Sequence, residues 1–145
     1  MTLRLGARAE AAELARASLT LALGPARITG LCTLGVALAP DDPAEAQRTL
    51  REALALAEQH RLRHSEAWCH SCLGVALRAT GAFDEALEHH RRALDLLKPL
   101  AETQLEIDCL RAYAETCAAA GRDVDAAPLL DRVAELTRAQ VVSRR

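Results

Sequence analysis

The chain has 145 residues, enough for one domain with a moderate core, and its net charge is −2. It contains 31 Ala and 25 Leu but only three aromatic residues, and both abundant types are strong helix formers. This composition argues against an antiparallel sheet, and the balanced charge gives no electrostatic reason to expect binding to nucleic acid or to an anionic membrane.

Proline, glycine and polar breakers divide the chain into seven segments, each with apolar residues spaced as on one face of a helix. Asp42 can cap a helix that begins at Pro43, where no N–H is needed. Thr103 and Glu106 fit a capping box, and Asp125 can cap the last segment. The sequence therefore predicts helices at 7–23, 26–39, 43–60, 65–80, 83–98, 103–120 and 125–142.

The segments repeat one another. The string Leu-Gly-Val-Ala-Leu occurs at 34–38 and again at 73–77, which is 39 residues later. Small residues follow at similar distances in each copy, one residue sooner in the first because its turn is shorter, and they let two helices approach closely. These residues are Ala46 and Ala53 in the first copy, Ala86 and Ala93 in the second, and Ala126 and Val133 after Ala114 in a third.

This pattern resembles the tetratricopeptide repeat, most clearly between Ala67 and Leu100, which carries Leu73 and Gly74, then Gly81 at the turn. The resemblance implies a single all-α domain over 1–145, a superhelix (solenoid) of about three and a half helix pairs. Its parts are a half repeat at 7–23 and repeats at 26–64, 65–102 and 103–142. The copies are also similar to the C-terminal arrays of large bacterial transcriptional regulators, where such repeats pass signals to other parts.

The resemblance also implies a binding surface, because the first helix of each pair in this family lines the concave side. We expect this groove to bind a peptide or a partner protein, since Trp and Arg, frequent interface anchors, fall in it. The Lys and Asn residues of a carboxylate clamp are absent from these positions. By residue matching, the groove positions are Thr29, Cys32, Val36, Trp68, Ser71, Val75, Arg78, Asp108, Arg111 and Glu115.

Trp68, the only tryptophan, has two interpretations. It can anchor a ligand in the groove, or it can close the gap between the first and second copies by packing against Leu56 or Leu62. The sequence leaves both interpretations open.

A metal site is the main chemical alternative. Cys69 and Cys72 form a CxxC string, and His70 and His90 occupy repeat positions whose bulky residues normally face each other. The string lies in the middle of a predicted helix, where it does not form a compact chelating loop. We therefore expect packing rather than chemistry from these residues, and no metal, cofactor or catalytic residue.

Five cysteines, an odd number, are scattered through apolar segments, which is unlike a secreted disulfide scaffold. The N-terminal residues lack the apolar core of a signal peptide, and no stretch approaches the roughly 20 apolar residues of a membrane span. We expect a cytoplasmic protein.

Segment 7–23 reads as the second helix of a pair whose first helix is missing. Its apolar residues, among them Leu14, Leu19 and Leu21, exceed what one neighbouring helix can cover. We expect them to dock on a second copy as a homodimer, or on upstream repeats of a longer chain. A self-associating structural piece without a separate ligand is thus the alternative to a non-catalytic interaction module of a regulatory or adaptor protein.

Overall fold

The computed structural model describes residues 24–143 together with Glu10, Glu13, Leu14 and Arg16. This part of the chain contains no strand and holds six helices, each within two residues of its predicted bounds. They are α1 (Pro25–Leu38), α2 (Pro43–Gln59), α3 (Arg63–Ala79), α4 (Phe83–Leu97), α5 (Thr103–Ala119) and α6 (Asp123–Ser143). A seventh helix was predicted at 7–23. It lies outside the described residues except for the four named above, which are helical.

The start of α2 confirms the predicted cap. The Asp42 carboxylate accepts a hydrogen bond from the backbone N–H of Glu45 at 3.2 Å, and Pro43 is the first helical residue. This arrangement satisfies an N–H that the first helical turn leaves without a partner.

Two other predicted caps are wrong. Thr103 already belongs to α5, so Glu102 precedes the helix and makes no side-chain cap bond. The last helix begins at Asp123 rather than after Asp125, because the turn closes at Gly121, whose φ is +74°. Within the first turn of α6, Asp125 instead pairs with Arg122.

Each of the first two pairs is closed by a glycine on its first helix. A Cβ built at Gly74 would lie 2.5 Å from Nε2 of His90 on α4, and one at Gly35 would overlap the side chain of Leu50 on α2. Both bulky residues are buried, so the glycines let each helix pair close over them. The third pair has Ala114 at this position, as the sequence indicated.

The first helices of successive pairs lie closer together than the second helices. The backbones of α1 and α3 contact each other, as do those of α3 and α5. Between α2 and α4, and between α4 and α6, no two Cα atoms among the described residues come within 8 Å. The array therefore curves with α1, α3 and α5 on its inner, concave side. Over the described ranges, none of the helices combines the length and apolar character needed to cross a membrane.

Candidate partner-binding face

The concave face presents eight of the ten predicted groove residues at least in part to solvent. Cys32 and Ser71 are the exceptions, at 0% and 1% exposure, so their placement on the binding surface is corrected. Four of these eight residues are half-buried and four are exposed. The half-buried residues are Trp68, Val75, Arg78 and Asp108, and the exposed residues are Thr29, Val36, Arg111 and Glu115.

Cys32 and Ser71 are buried because each one meets the next first helix. The Sγ atoms of Cys32 and Cys69 are 3.5 Å apart, and Ser71 lies beside Cys109, near enough to act on the pKa of its thiol. Both contacts join one repeat to the following one at the same place in the fold. These two positions therefore hold the array together instead of binding a ligand.

Trp68 packs in the seam between repeats while keeping part of its ring accessible. It lies against the buried cluster of the first repeat, which Leu56 and Leu62 also join. It also lies against the cluster around Ala67 and Cys109. This position fits the interpretation in which Trp68 closes the gap between the first and second copies, and the ligand-anchoring interpretation stays a prediction.

Charged side chains cross-link the concave face between α3 and α5. Arg78 forms a 3.5 Å ion pair with Glu115 and lies 3.4 Å from the hydroxyl of Thr116. Asp108 accepts a 3.1 Å hydrogen bond from the Gln104 amide. Arg111 forms no ion pair with another residue that the structure describes.

His90 makes a buried polar contact that the sequence analysis missed. The Thr116 hydroxyl donates to the carbonyl of Ala112 at 3.0 Å, so it accepts from Nε2–H of His90 at 2.8 Å. The other ring nitrogen, Nδ1, is buried and finds no hydrogen-bond partner among the residues that the structure describes. Burial, with the nearby charge of Arg78, lowers the pKa of His90 from 6.5 to about 4, so the ring is neutral. The signal for this contact in the sequence was a pair of polar residues, His90 and Thr116, within otherwise apolar helix faces.

His70 was expected to face His90 and instead stacks on His89. The two ring centroids are 5.2 Å apart, and the Nδ1 atoms share a 2.9 Å hydrogen bond. The reason is that His90 turns inward towards Gly74, which leaves the adjacent His89 on the side of α4 that meets His70. Burial lowers the pKa of His70 to about 4, and burial also lowers the pKa of His89.

The four residues weighed as a metal site do not converge. Cys69 and Cys72 both lie near Cys32, whereas His70 pairs with His89 and His90 bonds Thr116, so the histidines do not face the cysteines. Over the residues that the structure describes, no group of three or more His, Cys, Asp or Glu side chains is arranged to hold a metal ion.

The last pair carries a feature that the sequence analysis did not identify. Between α5 and α6 lies an open, mostly apolar groove of about 510 Å³, with Leu130 on one wall and Arg111 on the other. Leu130 occupies the position that Leu50 and His90 hold in the earlier pairs, yet it is 52% exposed. No signal in the sequence marks this difference, because Leu50 and Leu130 are the same residue type at the same repeat position.

A family model described as tetratricopeptide repeat matches residues 65–139, just over half of the chain, from α3 into α6. Neither the curated proteins nor the solved structures gave a match to the chain.

Proposed function

The chain belongs to the tetratricopeptide repeat family, and we propose that it is a non-catalytic module that binds a peptide or partner protein along its concave face. Repeats of this family generally mediate protein–protein interaction and are typically without catalysis.

The observation that carries the proposal is the series of contacts between α1, α3 and α5. These contacts bring together the three first helices that carry the predicted groove residues, among them the half-buried Trp68, and so support the proposal. An aromatic ring held rigidly by its own core loses little entropy when a ligand covers it, which favours its use as an anchor.

The charges on this face favour a ligand that carries both signs. Arg111 stands without an ion pair to another described residue, and Arg78 and Glu115 neutralise each other across the repeats. Such a mixed face favours a protein segment over a nucleic acid or an anionic membrane, both of which select a basic surface. The proposed setting is a cytoplasmic regulatory or adaptor protein, as in the arrays of bacterial transcriptional regulators.

A random peptide library displayed on phage tests the proposal. Selected peptides are titrated against the parent, and the fluorescence of Trp68, the only tryptophan, reports covering of the face. Val36→Arg on the concave side of α1 should abolish binding. Val142 is 73% exposed on α6, so Val142→Arg is the matched control and should leave binding unchanged. Equal binding by the two variants, or no selected peptide, would contradict the proposal.

A second candidate function is self-association, and Leu14 favours it. This residue of the predicted segment 7–23 is helical and 72% exposed. Covering such a large apolar side chain with a partner would remove it from water. Leu19 and Leu21 lie outside the described residues. A homodimer through this segment, or docking on upstream repeats of a longer chain, would cover Leu14.

A further inference from the structure

The groove between α5 and α6 is open where the equivalent grooves of the array are filled. In the first pair α3 packs against both α1 and α2, and in the second pair α5 packs against both α3 and α4. In the third pair the floor is formed by Ala114, Ala118, Ala126 and Ala127, with Leu130 at its side. The groove thus continues, in the same register, an interface that the chain already makes twice with its own helices.

Equivalent positions of the three helix pairs differ in burial. Leu50 on α2 and His90 on α4 are 0% and 1% exposed beneath the next helix, whereas Leu130 on α6 is 52% exposed. Leu87 on α4 is 2% exposed, and its counterpart Ala127 is exposed. A helix of the same type as α3 or α5 would bury this apolar surface.

Arg111 specifies the charge of the missing helix. It stands where Cys32 and Ser71 stand in the first two repeats, and those two contact Cys69 and Cys109 on the helix that fills each groove. A residue at the same position of an incoming helix would face Arg111. Glu115, which pairs with Arg78, and Asp123 also line the groove, but Arg111 is the side chain that faces this position. Because Arg111 has no ion pair within the part of the chain that the structure describes, a carboxylate there complements it.

Within residues 24–143, a second copy of this chain does not offer a free helix of this type. Its α3 and α5 are already packed between their own neighbours. The remaining first helix, α1, has Leu34 at the docking position of Leu73, and Leu34 is only 4% exposed. Arg16, from the N-terminal segment, lines the same 300 Å³ cavity as Leu34, so this side chain stands beside that face of α1.

We propose that the α5/α6 groove is a docking site for one amphipathic helix of another protein, which packs a small-residue face on Leu130 and places a carboxylate against Arg111. Helix-in-groove recognition of this kind needs only the terminal pair. It is independent of the concave-face proposal, which needs α1, α3 and α5 together, although Arg111 and Glu115 border both surfaces.

A synthetic helix derived from α5 is the probe for this site. The peptide Thr103–Ala119 carries the docking face of such a helix, and its residue 109 is the one that would face Arg111. Two fluorescein-labelled versions, Cys109→Glu and Cys109→Lys, are titrated against the parent protein under reducing conditions by fluorescence anisotropy. We expect the Glu peptide to bind more tightly than the Lys peptide, by about fivefold.

Variants of the protein then locate the peptide. Leu130→Arg should weaken binding of the Glu peptide by about tenfold or more, because it places a charge in the apolar wall. Val124→Arg, the same change at an 87% exposed position of α6 away from the groove, should leave binding unchanged. Arg111→Glu should reverse the preference, so that the Lys peptide binds more tightly than the Glu peptide. Circular dichroism and melting curves establish that the variants are folded.

Three results would overturn the proposal: no binding of either peptide, equal binding by the Leu130→Arg and Val124→Arg variants, or a preference that Arg111→Glu does not reverse. A parent dimer that Leu130→Arg dissociates would also overturn it, since a second copy would then occupy the groove. Val36→Arg should leave this peptide bound, so the failure of one proposal is distinguishable from the failure of the other.

Discussion

The imidazole ring of His90 lies against Gly74, with its Nε2 only 2.5 Å from where any other residue would place its Cβ. In the preceding repeat, Leu50 occupies the same position over Gly35. The second repeat thus replaces an aliphatic side chain in its core with a neutral imidazole, whose Nε2–H is satisfied by Thr116 of the next repeat. One residue thereby closes its own helix pair and bonds to the following pair.

Enlarging the crossing of α3 and α4 should destabilise the fold. Gly74→Leu forces the His90 ring out of place, and Ala86→Leu adds volume at a position that is 0% exposed. We expect each to lower the free energy of unfolding by about 1–3 kcal/mol or more. Urea denaturation measures the loss, with Ala79→Leu at the exposed end of α3 as control. Parent-like unfolding of Gly74→Leu would show that the repeats are misplaced.

Acidification should destabilise the protein through its buried histidines. Burial lowers the pKa of His90 and of His70 to about 4, so the folded protein keeps both rings neutral down to that pH. The unfolded chain takes up these protons near pH 6.5. It therefore binds more protons than the folded state between about pH 6.5 and 4, and stability falls as the pH drops through this window.

Urea denaturation of the parent and of His90→Leu at pH 7, 6 and 5 checks this prediction. The substitution copies Leu50 of the first repeat and removes one of the buried bases. Its stability should therefore depend less steeply on pH. Parallel curves for the two proteins across the range would show that His90 does not contribute.

The cysteines should be unreactive while the protein is folded. All five are buried, and burial raises the pKa of Cys109 to about 11. The hydrogen bond with Cys32, together with burial, raises the pKa of Cys69. Thiols held protonated and away from solvent react slowly. Titration with a thiol reagent at pH 8 should label none in native buffer and all five in denaturant.

The same thiols should hold no metal. Untagged protein should contain no stoichiometric zinc by elemental analysis, and a chelator should leave its melting temperature unchanged. A fall of many degrees in the melting temperature on chelation would contradict this prediction and support a metal site built from Cys69, His70, Cys72 and His90.

Removing the Trp68 side chain should cost stability as well as any ligand contact. Because its ring lies against the clusters of two successive repeats, Trp68→Ala leaves a gap at their junction. We expect the free energy of unfolding to fall by about 2 kcal/mol, less than for a fully buried tryptophan. Trp68→Leu, which keeps part of the apolar contact, should lose less. Calorimetry that finds both variants as stable as the parent would assign Trp68 to the surface alone.

Self-association through the N-terminal segment predicts a dimer at micromolar concentration. Leu19→Arg places a charge among the apolar residues of that segment and should dissociate the dimer, leaving the helix content of 28–142 largely intact. Light scattering gives the mass of both proteins, and circular dichroism gives the helix content. A parent that is monomeric with an ordered first helix would remove the reason for expecting self-association.

Two of the predicted groove residues could not be placed correctly from the sequence alone. Matching residues to the repeat placed Cys32 and Ser71 on the binding face together with Trp68 and Arg78. Eight of the ten matched residues are at least partly accessible. The other two are buried because the first helix of the next repeat approaches them closely. That approach depends on side chains 37 to 38 residues away, at Cys69 and Cys109.

For residues 24–143, the sequence by itself determined the six helices, their bounds within two residues and the repeat that pairs them. These features depend on local periodicity, turn glycines and small residues at fixed spacing. Only the tertiary structure decided that His70 meets His89, that His90 bonds Thr116, and that the last groove stays open beside Leu130. Those outcomes depend on which helix covers which face, and a periodic pattern does not show which neighbouring helix covers a given face.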